Sequence, residues 1–244
     1  MESQTLIHFL SDGLHLKGVL HIPEGKPTAV VFGSHGLFSD VTSPKQCDMA
    51  RCCSAERMAY FRFSHRGCGE SEGTQADAID FWGRVRDLEA AIDAVLPSFG
   101  RRLPVGLFGS SMGGAVCLAV AAKLRPAAVV TYAAPIRSIG AGEGPVLPEG
   151  IPERILRHPA FGFDLRDRLS GIRHVLVVHG SSDPVVPVSH AQEIFERVSE
   201  PKRLILQPGG DHPMSDPAHQ AQFRKDAIDW IDKMVRRSPI AHRQ

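Results

Sequence analysis

The sequence predicts an α/β architecture: a mostly parallel central sheet of about eight strands, an antiparallel hairpin at its N-terminal edge, and helices on both faces. Three observations carry this expectation. Short continuous apolar runs such as Ala29-Val30-Val31-Phe32 alternate with longer runs at helical spacing, the pattern of strands buried on both faces and joined by crossover helices. Residues 5–10 and 14–22 are β-like runs on either side of Ser11-Asp12-Gly13, a turn signal, and read as a hairpin. Finally, the strand-like run 103–108 enters Gly109-Ser110-Ser111-Met112-Gly113, and a small-residue helical run, 115–124, follows at once.

After the hairpin, residues 23–27 contain two prolines and a glycine and form a loop, and 29–32 is the first fully buried strand. Residues 45–58 mix polar and apolar side chains in a helix-like way, and 59–63 is the next strand. Val85, Leu88, Ile92 and Val95 recur at helical spacing through 81–96, and Pro97 ends that helix. The strand 103–108, the helix 111–124 and the buried strand 127–132 follow. Strands at 175–178 and 203–206 alternate with helices at 189–198 and 218–235. The alternation breaks over 136–170, a Gly- and Pro-rich stretch in which only 152–158 looks helical. A long segment of that kind at the carboxyl edge of a sheet suits a small lid. The whole chain, 1–244, reads as one domain carrying this short insertion.

Composition excludes several function classes. Twenty-eight basic against 27 acidic residues leave a net charge of +1, so nothing points to nucleic acid or an anionic membrane as partner. No apolar run approaches a membrane span, and the N-terminus lacks a basic region followed by an apolar one, so no signal peptide is expected. Five cysteines, two of them adjacent at Cys52-Cys53, do not form a disulfide framework and favour a reducing cytoplasm. The 12 histidines are dispersed without metal-binding spacing, so neither a metal nor another cofactor is expected. No feature fixes an oligomeric state.

The chemistry begins at the strand–turn–helix junction. Gly109-Ser110-Ser111-Met112-Gly113 is a G-x-S-x-G nucleophile elbow in the context that gives the pattern meaning, with Ser111 at a sharp turn and glycines on either side where a Cβ would crowd the backbone. A serine hydroxyl needs a base within hydrogen-bond reach, and the base needs an orienting acid. Both follow in the order Ser, Asp, His, each just past a predicted strand: Asp183 after Val175-Leu-Val-Val-His-Gly180, and His212 after Leu204-Ile-Leu-Gln-Pro-Gly-Gly210. Asp211 is an alternative acid, although it adjoins His212 in sequence, and Asp164 and Asp216 are weaker ones. An oxyanion hole needs two N–H donors. Met112 N–H at the helix start is one, and Leu37 N–H, in the loop Gly33-Ser-His-Gly-Leu-Phe38, is the expected second, ahead of Phe38. His35 reads as a loop-fixing residue, because His212 already fills the role of base.

These stretches resemble the α/β-hydrolases, of the small kind grouped with serine aminopeptidase-like and dienelactone-hydrolase-like enzymes. The similarity rests on Ser34-His-Gly-Leu37, Phe63-Ser-His-Arg-Gly-Cys-Gly-Glu-Ser-Glu-Gly73, the elbow, Val178-His-Gly-Ser-Ser-Asp-Pro-Val-Val-Pro187 and Gly210-Asp-His212, which span nearly the whole chain. Two departures stand out: Ser64 occupies a place where such relatives often carry an aspartate, and 136–170 is too short for a full cap domain. A cysteine would replace Ser111 in a true dienelactone hydrolase, and Cys117 reads as a core residue.

The resemblance implies a serine hydrolase acting on an ester or related acyl bond of a small molecule. Peptidase, thioesterase or acyltransferase chemistry on the same triad remains open, as does a ligand-binding protein that keeps the triad without turnover. Phe38, Ile136 and Val186 are the expected lining of an apolar acyl pocket.

Overall fold

A computed structural model describes residues 3–138 and 158–238. Eight strands form one sheet: β1 (Ser3–Ser11), β2 (Leu14–Ile22), β3 (Val30–Ser34), β4 (Ala59–Phe63), β5 (Val105–Ser110), β6 (Ala128–Tyr132), β7 (Val175–Gly180) and β8 (Lys202–Gln207). Their spatial order is β1-β2-β4-β3-β5-β6-β7-β8. The β1–β2 hairpin and the β2–β4 pair are antiparallel, and every other pair is parallel. From β3 the chain moves to β4 on one side and later returns to β5 on the other. The crevice at that switch of direction, outside the carboxyl ends of β3 and β5, is where open α/β sheets bind ligands.

The apolar strands look continuous in sequence but divide their side chains by parity. Val30, Phe32, Phe61, Leu107, Val129 and Val177 face one core, while Val31, Tyr60, Phe108, Val130, Leu176 and Val178 face the other. Helices α3 (Phe81–Val95), α4 (Met112–Leu124) and α5 (Ser189–Arg197) bury their apolar residues in the first core. Helices α1 (Pro44–Ala55) and α6 (Pro217–Arg236) close the second. Val85, Leu88, Ile92 and Val95 of α3 are all buried, each worth about 1.5–3 kcal/mol of transfer free energy. A short helix, α2 (Gln75–Ala78), which the sequence does not announce, is capped reciprocally by Thr74 and Asp77.

Several strands run further toward their carboxyl ends than their apolar stretches. β3 continues to Ser34, β5 to Ser110, β7 to Gly180 and β8 to Gln207, small or polar residues at which hydrophobic patterning stops. β5 also starts two residues late, at Val105, because Pro104 has no N–H for the ladder. Within the expected lid, residues 139–157, including most of the helical stretch 152–158, lie outside the described residues. Its two flanks pair with each other: Arg137 bridges Asp164, Leu165 N–H donates to Ile136 at 2.9 Å, and Phe161, Phe163, Leu165 and Leu169 are buried. All five cysteines are free, with Cys117 fully buried in the first core. Among the described residues, no helix is long and apolar enough to cross a membrane.

Candidate active site

Ser111 stands between β5 and α4 with φ 53° and ψ −127°, a backbone conformation that L-residues avoid. Its N–H donates to Tyr132 O at 2.8 Å, which ties the turn to the end of β6. The two glycines are sterically required. A Cβ on Gly109 would run into the Gly113 carbonyl, and one on Gly113 into the Ser34 carbonyl. The helix begins at Met112, one residue after the serine, so the hydroxyl projects from the turn itself.

The predicted acid and base arrive from neighbouring strand ends. His212 Nδ1 lies 2.7 Å from Asp183 Oδ2, and His212 Nε2 lies 3.1 Å from Ser111 Oγ. With Asp183 ionised, Nδ1–H donates to the carboxylate, which leaves Nε2 free to accept the serine O–H. The other Asp183 oxygen accepts the N–H groups of Val185 and Val186 at 2.8 and 2.9 Å. Burial alone would push the Asp183 carboxyl up. Hydrogen bonds from His179 and His212, the charge of His212 and the Val186 N–H outweigh it and hold the group well below the usual carboxylate range.

The alternative acids are otherwise engaged. Asp211 Oδ1 accepts Ser215 N–H at 2.7 Å, Asp164 pairs with Arg166, and Asp216 caps α6 through Ala218 N–H at 2.8 Å.

The loop after β3 lies against the elbow. A Cβ on Gly36 would sit 3.5 Å from both Ser110 O and Ser111 Cβ, so the loop passes close to the serine at Gly36, one residue before Leu37. Met112, the first residue of α4, has an N–H without an intrahelical acceptor. His35 fixes this loop, as the sequence implies. Its Nε2 accepts His65 N–H at 3.0 Å, so its Nδ1 carries the proton and donates to Gly36 O at 2.7 Å. Burial and the neighbouring Arg84 and His65 charges keep it neutral, well below the imidazole range.

Sequence reasoning missed what lies beneath. Arg84 on α3 has no exposed surface and donates to His35 O at 2.6 Å and to Gly36 O at 3.2 Å. One turn on, buried Asp87 accepts from Arg66 Nε at 3.0 Å and lies 3.3 Å from His65 Nδ1. His65 Nε2 in turn lies 2.8 Å from Ser34 Oγ, so Ser34, His65 and Asp87 make a second Ser-His-Asp row, wholly buried. Burial and the Arg84 charge push His65 down to about 4, although Asp87 opposes them. The signal was present: Arg84 and Asp87 fall on the same buried stripe of α3 as Leu88, where charges belong only when paired. At the departure site, Ser64 Oγ accepts Val41 N–H at 3.0 Å and so steadies the outer part of the β3 loop.

The expected pocket residues divide. Phe38 is exposed and has φ 53°, whereas Ile136 and Val186 are buried, Ile136 donating its N–H to His190 Nδ1 at 3.0 Å. Among the described residues, no group of three His, Cys, Asp or Glu could hold a metal ion.

An eight-stranded sheet with a strained serine at its switch point defines an α/β-hydrolase. Residues 25–149 match the family described as serine aminopeptidase, S33, and the chain belongs to that family. It is 31% identical to the uncharacterized protein YfhR of Escherichia coli O157:H7 over 86% of this chain and 72% of that one. It is 35% identical to human monoglyceride lipase over 49% of this chain and only 39% of the lipase. Among solved structures, Est1E from Butyrivibrio proteoclasticus with bound ferulic acid superposes with a TM-score of 0.73 at 18% identity, covering 93% of this chain and 99% of that one. That last likeness concerns the fold.

Proposed function

We propose that this chain is a serine hydrolase that cleaves an ester or related acyl bond of a small substrate through Ser111, His212 and Asp183. The observation that carries the reading is the unbroken hydrogen-bonded row from Asp183 through His212 to Ser111 Oγ, ending on a serine in a strained turn. His212 Nε2 takes the Ser111 proton as Oγ attacks the carbonyl carbon. The N–H groups of Leu37 and Met112 hold the resulting oxyanion. The bond to the leaving alcohol breaks, His212 protonates that alcohol, and the acyl group stays on Ser111. Water then attacks the acyl-enzyme, gives its proton to His212, and the acid leaves as that proton returns to Ser111 Oγ. Asp183, held ionised, keeps the imidazole in the required tautomer and stabilises its charged form. The mechanism calls on no cofactor. Exposed Phe38 beside the oxyanion loop is the contact offered to an apolar acyl group. The free thiols support a reducing compartment.

Wild-type protein should hydrolyse p-nitrophenyl esters and label stoichiometrically with an organophosphonate, and Ser111→Ala should do neither while keeping its fold. Equal labelling of both would remove Ser111 as the nucleophile. The family description supports a second reading, amide hydrolysis through the same acyl-enzyme. Faster turnover of aminoacyl p-nitroanilides than of the matched esters would favour it.

A further inference from the structure

We propose that Lys45 and Tyr132 are positioning residues that clamp the backbone on both sides of His212 and so hold its imidazole against Ser111. Lys45 Nζ donates to Pro213 O at 2.7 Å, and Tyr132 Oη donates to Asp211 O at 2.6 Å. These are the carbonyls next to His212 on either side. The clamp is one unit, because the Lys45 ammonium stands over the Tyr132 ring, 5.5 Å from its centroid. The Tyr132 ring also packs edge-on with Phe223, centroids 5.7 Å apart.

Local preferences argue against Lys45 being where it is. It is the second residue of α1, in the first turn, where the helix dipole disfavours a cation by about 0.3–1 kcal/mol. It is half-buried, and burial draws its pKa down against the opposing charge of Asp211. Tyr132 is buried at the carboxyl end of β6, and burial with the charges of Asp183 and Asp211 keeps its hydroxyl protonated and therefore a donor. Locally unfavourable placements of this kind concentrate at functional sites. What the pair holds is a tight turn: Met214 has φ 59° and its N–H returns to Asp211 O at 3.3 Å. Without the clamp that turn can shift, and a displacement of about 1 Å in a catalytic group costs on the order of a hundredfold in rate.

The inference rests on reading His212 as the base, so its test includes a readout independent of turnover. Lys45→Met keeps the aliphatic stem and removes the donor; Tyr132→Phe removes one oxygen. Each variant, checked for folding by circular dichroism, should lose about tenfold in kcat with KM within twofold. In each, the downfield proton resonance of His212 Nδ1–H, assigned by its absence in His212→Gln, should shift or broaden. Wild-type kcat in Tyr132→Phe, a loss that falls on KM alone, or an unmoved resonance in both variants overturns the clamp. If wild type turns over no acyl substrate yet the resonance moves in both variants, the proposed reaction fails and the clamp stands.

Discussion

Ser111 stores backbone strain that a pair of substitutions can measure. Its φ of 53° and ψ of −127° lie where a Cβ costs about 1–3 kcal/mol and where glycine is at ease. Ser111→Ala keeps the Cβ and loses the hydroxyl, whereas Ser111→Gly loses both. Neither can bond His212, so that hydrogen bond cancels in the comparison. Glycine gives back about 0.5–1 kcal/mol through the greater freedom of its unfolded chain. The difference should leave Ser111→Gly more stable than Ser111→Ala by about 1 kcal/mol, or about 2–4 °C in Tm for a chain of this size. Urea unfolding followed by circular dichroism at pH 7.5 reads the difference directly. An alanine variant as stable as the glycine variant, or more so, refutes the claim that the elbow is strained.

Asp183→Asn should leave the fold intact and lower kcat by about 10³–10⁴-fold, because the amide no longer fixes the imidazole tautomer; steady-state ester hydrolysis tests this. Arg84→Met leaves the His35 carbonyl without its buried donor and Gly36 O with only the His35 Nδ1–H, and a loss of at least about tenfold in kcat together with about 3 kcal/mol in urea stability is expected. Stability should also fall on mild acidification. His65 is held near 4 in the fold against about 6.5 unfolded, so the unfolded chain binds the proton first; the contribution is intact above pH 6.5 and is lost as pH drops toward 4. Between pH 7.5 and pH 5 this amounts to about 2 kcal/mol, with His35 acting in the same direction, and an unchanged urea midpoint would contradict it.

Where one residue's surroundings determine its role, the sequence was legible. Parallel strands announced themselves because both their faces are dry, and the elbow because no Cβ fits at Gly109 or Gly113. The order of Ser111, Asp183 and His212 along the chain placed each at a strand end, and the structure brings these three together. The strand ends themselves were cut short, since Ser34, Ser110 and Gln207 end the hydrophobic pattern while the ladder continues. The support beneath the site was harder to see. Arg84 reaches His35 across 49 positions and Lys45 reaches Pro213 across 168, and neither side chain differs by type from the solvated charges elsewhere. Only the interruption of the buried stripe of α3 by Arg84 and Asp87 pointed inward.

The buried row of Ser34, His65 and Asp87 bears on how such enzymes are recognised. Serine, histidine and aspartate stand in hydrogen-bonded sequence twice among the described residues. Connectivity therefore cannot be the criterion. Ser34 is the last residue of β3 and has no exposed surface, and its histidine resists protonation, so it can neither meet an electrophile nor hand over a proton. Ser111 breaks its backbone at the rim of the sheet. A reactive probe offered to the intact protein should mark one serine of the two, and acid unfolding should be what exposes the other.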